Sequence, residues 1–407
     1  MQDVKSYRDS WSSIRKLVRA NVKTYTMIIA LLLIWALFAV LTGGIFFSPR
    51  NMSNLFRQMS IISFLATGMV LVIVLGNIDL SVGSVTGFIS AVVALMQARV
   101  FPNLLPSLFP AMSADTMGII STVLTIIVGL AVGLLIGLFQ GSIISYLGVP
   151  AFIVTLGGML IFRGGILGVT NGKTIVPVED SLVYIAQGYL SSATGVILAA
   201  IIIGLIFLFT FESRRRKEKY GFELPSLSTD LLKAGFFSAI VLAYIVYMNL
   251  YKGLQLPVLL LAVVALIVTY IANNTRFGRY VYAVGGNREA TRLSGINIKL
   301  TVFKVHVLMG LLSAVAGIVL TGYVAAGTVN AGVNYELDTI ASCVIGGTSL
   351  MGGEGTIFGA IVGSLIMASI INGMSVMNMP IFWQYIVRGV VLIAAVYLDV
   401  ASKKRKD

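Results

Sequence analysis

The chain has 407 residues, of which 57% are hydrophobic and 11% are charged. Soluble domains carry about 25% charged residues, so this composition excludes an ordinary soluble globular protein. The 29 Lys and Arg residues outnumber the 16 Asp and Glu residues. They lie in short segments between or beside apolar runs, which is typical of a membrane protein and argues against a nucleic-acid partner. The single cysteine, Cys343, excludes a disulfide or a zinc cluster within the chain.

Apolar runs long enough to cross a membrane recur along the sequence, for example over residues 27–47 and 117–139. A hydrocarbon core about 30 Å thick needs helices of about 20 residues, and no alternating strand pattern favours a barrel. We predict an all-α, polytopic transmembrane helix bundle with about 10–12 membrane helices, in a single domain over residues 1–407. The predicted helices cover residues 25–47, 58–76, 80–101, 117–139, 150–171, 193–211, 234–250, 256–273, 301–323, 337–350, 356–373 and 382–399.

The basic residues predict the orientation of this bundle. The N-terminal tail, the 212–233 loop, the 274–304 segment and the tail after Ser402 hold 22 of the 29 Lys and Arg residues. Positive residues concentrate in cytoplasmic segments, so an even number of crossings with both termini in the cytoplasm is predicted. Residues 1–23 place apolar and basic residues on opposite helical faces, which predicts an amphipathic helix on the cytoplasmic surface.

The tenth predicted helix and a possible internal sequence repeat add detail to the predicted architecture. Residues 337–350 are short and rich in glycine, which favours a re-entrant or broken segment. The spacing Gly137-x3-Gly141-Ser142 recurs at 359–364, and an Arg-Gly pair follows each copy. An inverted pseudo-repeat of two halves, residues 50–175 and 256–400, is one interpretation. Chance or shared helix-packing composition is the other.

Residues 190–255 would then form an additional helical pair between the halves. The basic run Arg214 to Lys219 lies in its loop. A solvated cytoplasmic face is one interpretation of this run, and a binding site for a partner is the other. The chain shows no grouping of nucleophile, histidine and carboxylate and no metal-ligand cluster, so we predict that it is not an enzyme and binds no cofactor or metal of its own.

Polar residues interrupt the apolar segments near the third and the tenth predicted helices. An Asp before an apolar helix is most often an N-cap, and lining a polar path for a solute is the alternative. Arg163 and Arg388 lie within helices, where a charge costs several kcal/mol unless it faces a cavity or a partner. The candidate translocation path comprises Asn77, Asp79, Ser81, Arg163, Asn334, Glu336, Asp338, Gln384 and Arg388.

The basic segment from Gly286 to Gly295 predicts a short exposed helix. It is either a connector or a docking element for a cytoplasmic motor. Its Glu-Ala-Thr-x3-Gly sequence matches all but one place of the Glu-Ala-Ala-x3-Gly pattern by which bacterial importer permeases meet their ATPase subunits, although the hydrophobic tail of that pattern is missing. The candidate coupling loop consists of Asn287, Arg288, Glu289, Ala290, Arg292 and Gly295.

Four segments together resemble the permeases of bacterial ABC importers for monosaccharides: residues 77–84, 149–157, 285–296 and 345–353. The resemblance runs in the right order from about residue 50 to 400. Within this family the chain is most similar to the D-xylose permeases, which share the extra helical pair. Asn77 departs from the pattern, because relatives often carry Glu there, and this puts any charge at that place in doubt.

The resemblance implies a permease of the bacterial cytoplasmic (inner) membrane that translocates D-xylose or a related pentose or hexose by alternating access. It also implies a second permease copy, a cytoplasmic ABC ATPase subunit that binds ATP, and an extracytoplasmic sugar-binding protein. An ion-driven secondary sugar transporter, a passive channel or scaffold, and an ABC permease for a nucleoside or a branched-chain amino acid stay open, because a fold does not set its substrate.

Overall fold

A computed structural model of the chain describes residues 22–222, 224 and 226–404. Most of the predicted amphipathic segment, residues 1–23, lies outside the described residues. The described helices are α1 Val22–Leu41, α2 Pro49–Val74, α3 Val82–Leu95, α4 Phe101–Leu108, α5 Ala114–Ser145, α6 Ala151–Thr170, α7 Asp180–Gln187, α8 Ser192–Lys219, α9 Leu227–Asn249, α10 Leu256–Asn274, α11 Arg276–Gly286, α12 Arg288–Leu293, α13 Ile298–Val324, α14 Tyr335–Ile345, α15 Ile357–Val376 and α16 Ile381–Lys404.

Ten of the described helices are long and apolar enough to cross a membrane. Helices α3 and α4 count as one of these, because the π-helical turn Met96–Val100 joins them into a continuous Val82–Leu108 segment. The apolar part of α1 and the whole of α14 are shorter. The prediction of an all-α polytopic bundle with about 10–12 membrane helices is confirmed.

Serine residues begin several of the long helices. The side chains of Ser48, Ser113, Ser191 and Ser226 each accept a hydrogen bond from the backbone N–H three residues later. The first turn of a helix has N–H groups without helical partners, and a lipid cannot satisfy them, so a serine at this place fixes where each helix starts. Pro49 at the first position of α2 has no N–H to satisfy and strengthens that start.

Helix α2 forms the centre of the bundle. In the chain alone, 89% of its apolar window is buried, and it packs against α10, α13, α14 and α15. Helices α5 and α13 run antiparallel and approach closely, because Gly133 and Gly137 on α5 face Gly310 and Val307 on α13. Glycine at these positions lets the two backbones meet without an intervening side chain.

The structure changes two predicted segments. The first predicted helix, 25–47, ends at Leu41, since Gly43 and Gly44 adopt positive φ angles of 58° and 87° that end the helical run. The tenth, 337–350, is only the eleven-residue helix α14, which the irregular chain from 325 to 334 precedes. This is the broken form of the segment rather than a full crossing.

The predicted additional pair is the hairpin of α8 and α9. Its two helices pack on each other, and the short strands β1 Tyr189–Leu190 and β2 Leu254–Gln255 pair in antiparallel fashion where the hairpin joins the rest of the chain. Only 11% and 22% of the apolar windows of α8 and α9 are buried. The remaining apolar surface of the hairpin therefore faces outward.

Candidate functional site

Two helices begin against each other inside the bundle, each after an irregular segment that interrupts the helical chain. Helix α3 starts after the irregular segment 75–81, and α14 starts after the irregular segment 325–334. Gly83 in the first turn of α3 lies against Gly332 and Glu336, so that a Cβ at residue 83 would overlap the Glu336 carboxylate. Gly332 has a positive φ of 71°, which an L side chain rarely adopts. We call the contact of Gly83, Gly332 and Glu336 the broken-helix junction.

A polar cluster lies immediately before α3. Asp79 is buried, and its Oδ1 accepts hydrogen bonds from the Ser81 backbone N–H at 2.8 Å and from the Ser81 hydroxyl at 2.7 Å. The Gln140 amide on α5 donates to the Ser81 Oγ at 3.0 Å. Gly158 on α6 lies against that amide and leaves room for it.

The expected N-cap geometry at Asp79 is not what the structure contains. The N-cap residue of α3 is Ser81, and its side chain makes no capping hydrogen bond. The Asp79 carboxylate accepts from Ser81 itself rather than from an N–H within the first turn of the helix. The carboxylate therefore fixes the irregular segment and its link to α5, and it leaves the first N–H groups of α3 uncapped by side chains.

An ion pair connects α16 to α14. Arg388 Nη1 lies 3.3 Å from Asp338 Oδ2, and the two side chains are 19% and 2% exposed. The guanidinium also lies over the Tyr385 ring, 6.0 Å from its centroid. A cavity of about 150 Å³ beside the pair is lined by Asn334, Tyr385 and neighbouring apolar residues. A buried carboxylate of this kind depends on its cation, because removing the partner leaves a desolvated charge.

A second arginine approaches the chain just before α14. Arg163 on α6 donates from Nη1 to the Ala331 carbonyl at 3.4 Å. Glu336 is buried, and its Oε2 has no hydrogen-bond partner within the part of the chain that the structure describes. A buried acceptor without a partner is costly, and this one lies at the broken-helix junction. The arrangement offers a carboxylate oxygen to a hydroxyl-bearing molecule.

The structure gathers most of the candidate translocation path around the two helix starts. Asp79 and Ser81 lie before α3, and Asn334, Glu336, Asp338 and Arg388 surround the start of α14, with Arg163 beside it. Two predicted residues take no part in these contacts. The Gln384 amide donates to the Met379 carbonyl at 3.1 Å, and Asn77 forms a backbone bond to the Val72 carbonyl.

Sequence reasoning missed Gln140 as a site residue. It lies in an otherwise apolar helical run and is buried, so an amide there needs a partner, which is the signal that could have found it. His306 on α13 is also buried, and its Nδ1 is paired with the Val302 carbonyl at 2.9 Å. That bond to its own helix agrees with a structural role for the histidine.

The candidate coupling loop forms the short helix α12, as predicted. The Asn287 side chain caps it by accepting from the Ala290 N–H at 2.9 Å. Glu289 and Arg292 form a salt bridge of 2.6 Å with both side chains about two-thirds exposed, at 66% and 65%. The pKa of Arg292 is raised because Glu289 accepts its hydrogen bonds. Thr291 points inward and donates to the Ala283 carbonyl at 2.8 Å, which anchors α12 on α11.

Helix α11, on which α12 is anchored, contacts the chain at the end of α2 and in the loop after α14. Gly285 on α11 packs directly on the Val74 carbonyl at the end of α2. The Gly353 N–H donates to the same carbonyl at 2.9 Å, and the Tyr282 hydroxyl donates to the Gly355 carbonyl at 2.8 Å. We call the contact of Val74, Gly285 and Gly353 the basal junction. It joins α11, and through α11 also α12, to the segment before α3 and to the loop after α14.

Comparison with known proteins adds the family. Residues 51–396 match the family described as the branched-chain amino acid transport system permease component. The chain belongs to this permease family. The xylose transport system permease protein XylH of Haemophilus influenzae is 44% identical over 391 residues, which is 96% of this chain and 99% of the relative. The XylH protein of Escherichia coli K12 is 43% identical over 95% of this chain and 93% of the relative.

A more distant relative of this permease is named for another sugar. The ribose import permease protein RbsC of Haemophilus influenzae is 32% identical over 91% of each chain. No solved structure matches the permease significantly. The family and the ten apolar helices make the permease a multi-pass membrane protein and a transporter subunit rather than an enzyme. The resemblance of the four sequence segments to permeases is thereby confirmed.

Proposed function

We propose that this permease is the membrane subunit of an ATP-binding-cassette importer that translocates a monosaccharide, D-xylose or a related pentose. The observation that carries the substrate class is the similarity to two XylH proteins at 43–44% identity over nearly the whole chain, against 32% for RbsC. The additional hairpin lies within the aligned length, which covers 99% of the Haemophilus relative.

The sugar passes the broken-helix junction in this proposal. A monosaccharide has hydroxyl groups that both donate and accept hydrogen bonds. The buried Glu336 carboxylate supplies an acceptor, and Asp79 and Ser81 before α3 and Gln140 on α5 supply a chain of hydrogen-bonded polar groups. Broken helices near the middle of transporters expose backbone and side-chain polar groups to a solute in the same way.

Coupling to ATP proceeds through α12. A partner ATPase subunit binds and hydrolyses ATP and contacts the exposed Glu289 and Arg292, and this chain holds no cofactor of its own. Movement of α12 then passes to α11 and, through the basal junction, to the segment before α3 and to the loop after α14, so that α3 and α14 shift together. This shift changes the contact of Gly83, Gly332 and Glu336 at the broken-helix junction, so that the junction opens to one side of the membrane at a time.

The assembly and orientation belong to the same proposal. Both termini and α12 face the cytoplasm, a second copy of the permease completes the membrane part, and an extracytoplasmic sugar-binding protein delivers the ligand. The two halves, residues 50–175 and 256–400, form an inverted pseudo-repeat. The packing of α6 on α3 and of α16 on α14 supports this repeat, because each arginine-bearing helix contacts the corresponding helix of its own half.

A permease for a branched-chain amino acid is the second candidate, since the matched family carries that description. The relatives of highest identity described above favour the sugar. Thermal shift of the cognate binding protein with D-xylose, D-ribose and L-leucine separates these candidates, because a bound ligand raises the unfolding temperature. A shift with L-leucine alone would reject the sugar.

Transport in proteoliposomes tests the proposal as a whole. We expect uptake of D-xylose to require the permease, the ATPase subunit, the binding protein and ATP together. Uptake by the permease alone, driven by a proton or sodium gradient, would contradict the proposal and favour a secondary transporter.

A further inference from the structure

We propose that the α8–α9 hairpin binds the phosphate-bearing headgroup of an anionic phospholipid. The site is a cavity of about 350 Å³ at the end of the hairpin where α8 finishes and α9 begins. It is separate from the broken-helix junction and from the coupling loop. The proposal does not depend on which solute the permease carries.

The cavity has a polar end and an apolar end. Arg214, Lys217 and Lys233 line the polar end, together with the hydroxyl groups of Thr210 and Ser213. The apolar end is lined by Ile206, Phe209, Ala234 and Phe237. A phospholipid has the same division, with a phosphate near the membrane surface and acyl chains below it. The sequence order along α8 places the apolar residues one to three turns deeper than the cations.

The charges at the polar end favour an anion. Among the described residues that line the cavity, Asp230 is the one acidic residue, and it forms a 2.8 Å salt bridge with Arg214. Lys217 and Lys233 make no ion pair within residues 22–222, 224 and 226–404, and both are exposed. Two lysines therefore line a cavity in which the described acidic residue, Asp230, is already paired. Basic pockets between membrane helices bind anionic headgroups through this kind of charge arrangement.

The position of the hairpin favours a lipid over a soluble anion. The helices α8 and α9 bury little of their apolar windows within the chain, and Phe209 and Phe237 are 62% and 53% exposed. These rings line the same cavity as the two lysines. A soluble phosphate would contact the cations and leave the rings uncovered, whereas an acyl chain covers them.

The basic run extends beyond the cavity, and this provides a matched control. Arg215 and Lys219 carry the same charge as the two cavity lysines, lie on the last turns of α8 on either side of Lys217, and do not line the cavity. Arg216 pairs with Glu212 at 2.5 Å on the exposed face of α8. A general attraction of the run to a negative surface would depend equally on all of these residues, but a site depends on Lys217 and Lys233.

Native mass spectrometry of the full chain tests the site. The purified permease is mixed with phosphatidylglycerol or phosphatidylcholine, and the fraction that retains one lipid is measured. We expect selective retention of phosphatidylglycerol. In the Lys217→Gln/Lys233→Gln variant we expect its affinity to fall by roughly 30-fold, the sum of two cations at a membrane surface. The Arg215→Gln/Lys219→Gln control should stay within threefold of the wild type.

Three results would overturn the proposal. Equal retention of phosphatidylcholine would show that the charges do not select the lipid. An equal loss in the control variant would show a diffuse attraction of the basic run. Displacement of the lipid by inorganic phosphate would show a site for a soluble anion. The rate at which a thiol reagent modifies the buried Cys343 verifies that each variant is folded, since unfolding exposes this cysteine.

Discussion

Replacing Arg388 with Gln should loosen α14 from α16. In the wild type the guanidinium lies 3.3 Å from the Asp338 carboxylate, which is only 2% exposed. The substitution keeps a polar side chain of similar reach but removes the positive charge. Asp338 then remains as a buried charge with no ion pair, and the structure relieves this by moving α14 toward water.

The size of the effect follows from the burial of the pair. Removing one partner of a buried ion pair costs about 3–5 kcal/mol. Arg388 is 19% exposed, so solvent screens part of the interaction, and we expect a value near the lower end of the range. A change of about 3 kcal/mol corresponds to roughly a 100-fold increase in the population of the open state, in which α14 has moved away from α16.

The chain carries a reporter for this opening. Cys343 lies on α14, is fully buried, and is the only cysteine in the sequence. Under conditions where α14 opens and closes faster than the thiol reacts, the alkylation rate of Cys343 measures the open population. Arg388→Gln should raise this rate by roughly 100-fold, and Arg215→Gln, a charge change on the distant hairpin, should leave it unchanged.

A second variant separates charge from packing. Asp338→Asn in the Arg388→Gln background removes the uncompensated charge, so the alkylation rate should fall back toward the wild-type value. An unchanged rate in Arg388→Gln alone would refute the reasoning, because it would mean that the ion pair does not hold α14. A double variant that reacts as fast as the single variant would show that lost packing, not charge, opens the helix.

Three further predictions concern the two junctions and the polar residues beside them. Gly83→Ala inserts a methyl group against Glu336 and should cost about 1–3 kcal/mol, seen as faster Cys343 alkylation and lower uptake, whereas Gly164→Ala, where nothing lies within 4 Å, should change neither. Tyr282→Phe removes the bond to the Gly355 carbonyl, worth about 0.5–1.5 kcal/mol, and should lower uptake per ATP hydrolysed while co-purification with the ATPase persists. Gln140→Leu removes the amide that binds Ser81 and should lower sugar uptake without changing Cys343 alkylation. Unaltered transport in all three would contradict the assignment of both junctions.

The helical architecture was predictable because lipid imposes a simple rule. A segment that crosses the membrane must be helical and apolar for about 20 residues, so composition alone locates most of the helices. The glycines of residues 337–350 indicated a broken or re-entrant segment in that region. The irregular chain before α14 did not follow from the sequence, because it contains Gly332 and Asn334 at positive φ angles, and Gly332 packs on Gly83 of α3 only in the folded bundle.

The site was predictable in part for a related reason. An acidic or basic side chain within an apolar run is costly, so Arg163, Asp338 and Arg388 stood out. Their pairing did not, because Asp338 and Arg388 lie 50 residues apart. The basal junction left no signal either, since it consists of glycines and a backbone carbonyl whose contact exists only after the bundle has packed. Gln384 was a reasonable candidate, but its amide donates a hydrogen bond to the nearby Met379 carbonyl.

The most direct test of alternating access is the accessibility of residue 81. Ser81 is fully buried beside the broken-helix junction. A Ser81→Cys variant in a Cys343→Ala background is reconstituted with the ATPase and the binding protein, and a membrane-impermeant thiol reagent is added from one side at a time. We predict that the side from which residue 81 is labelled changes when ATP is trapped on the ATPase. Labelling from the same side in both states, or from neither side, would contradict transport through this junction.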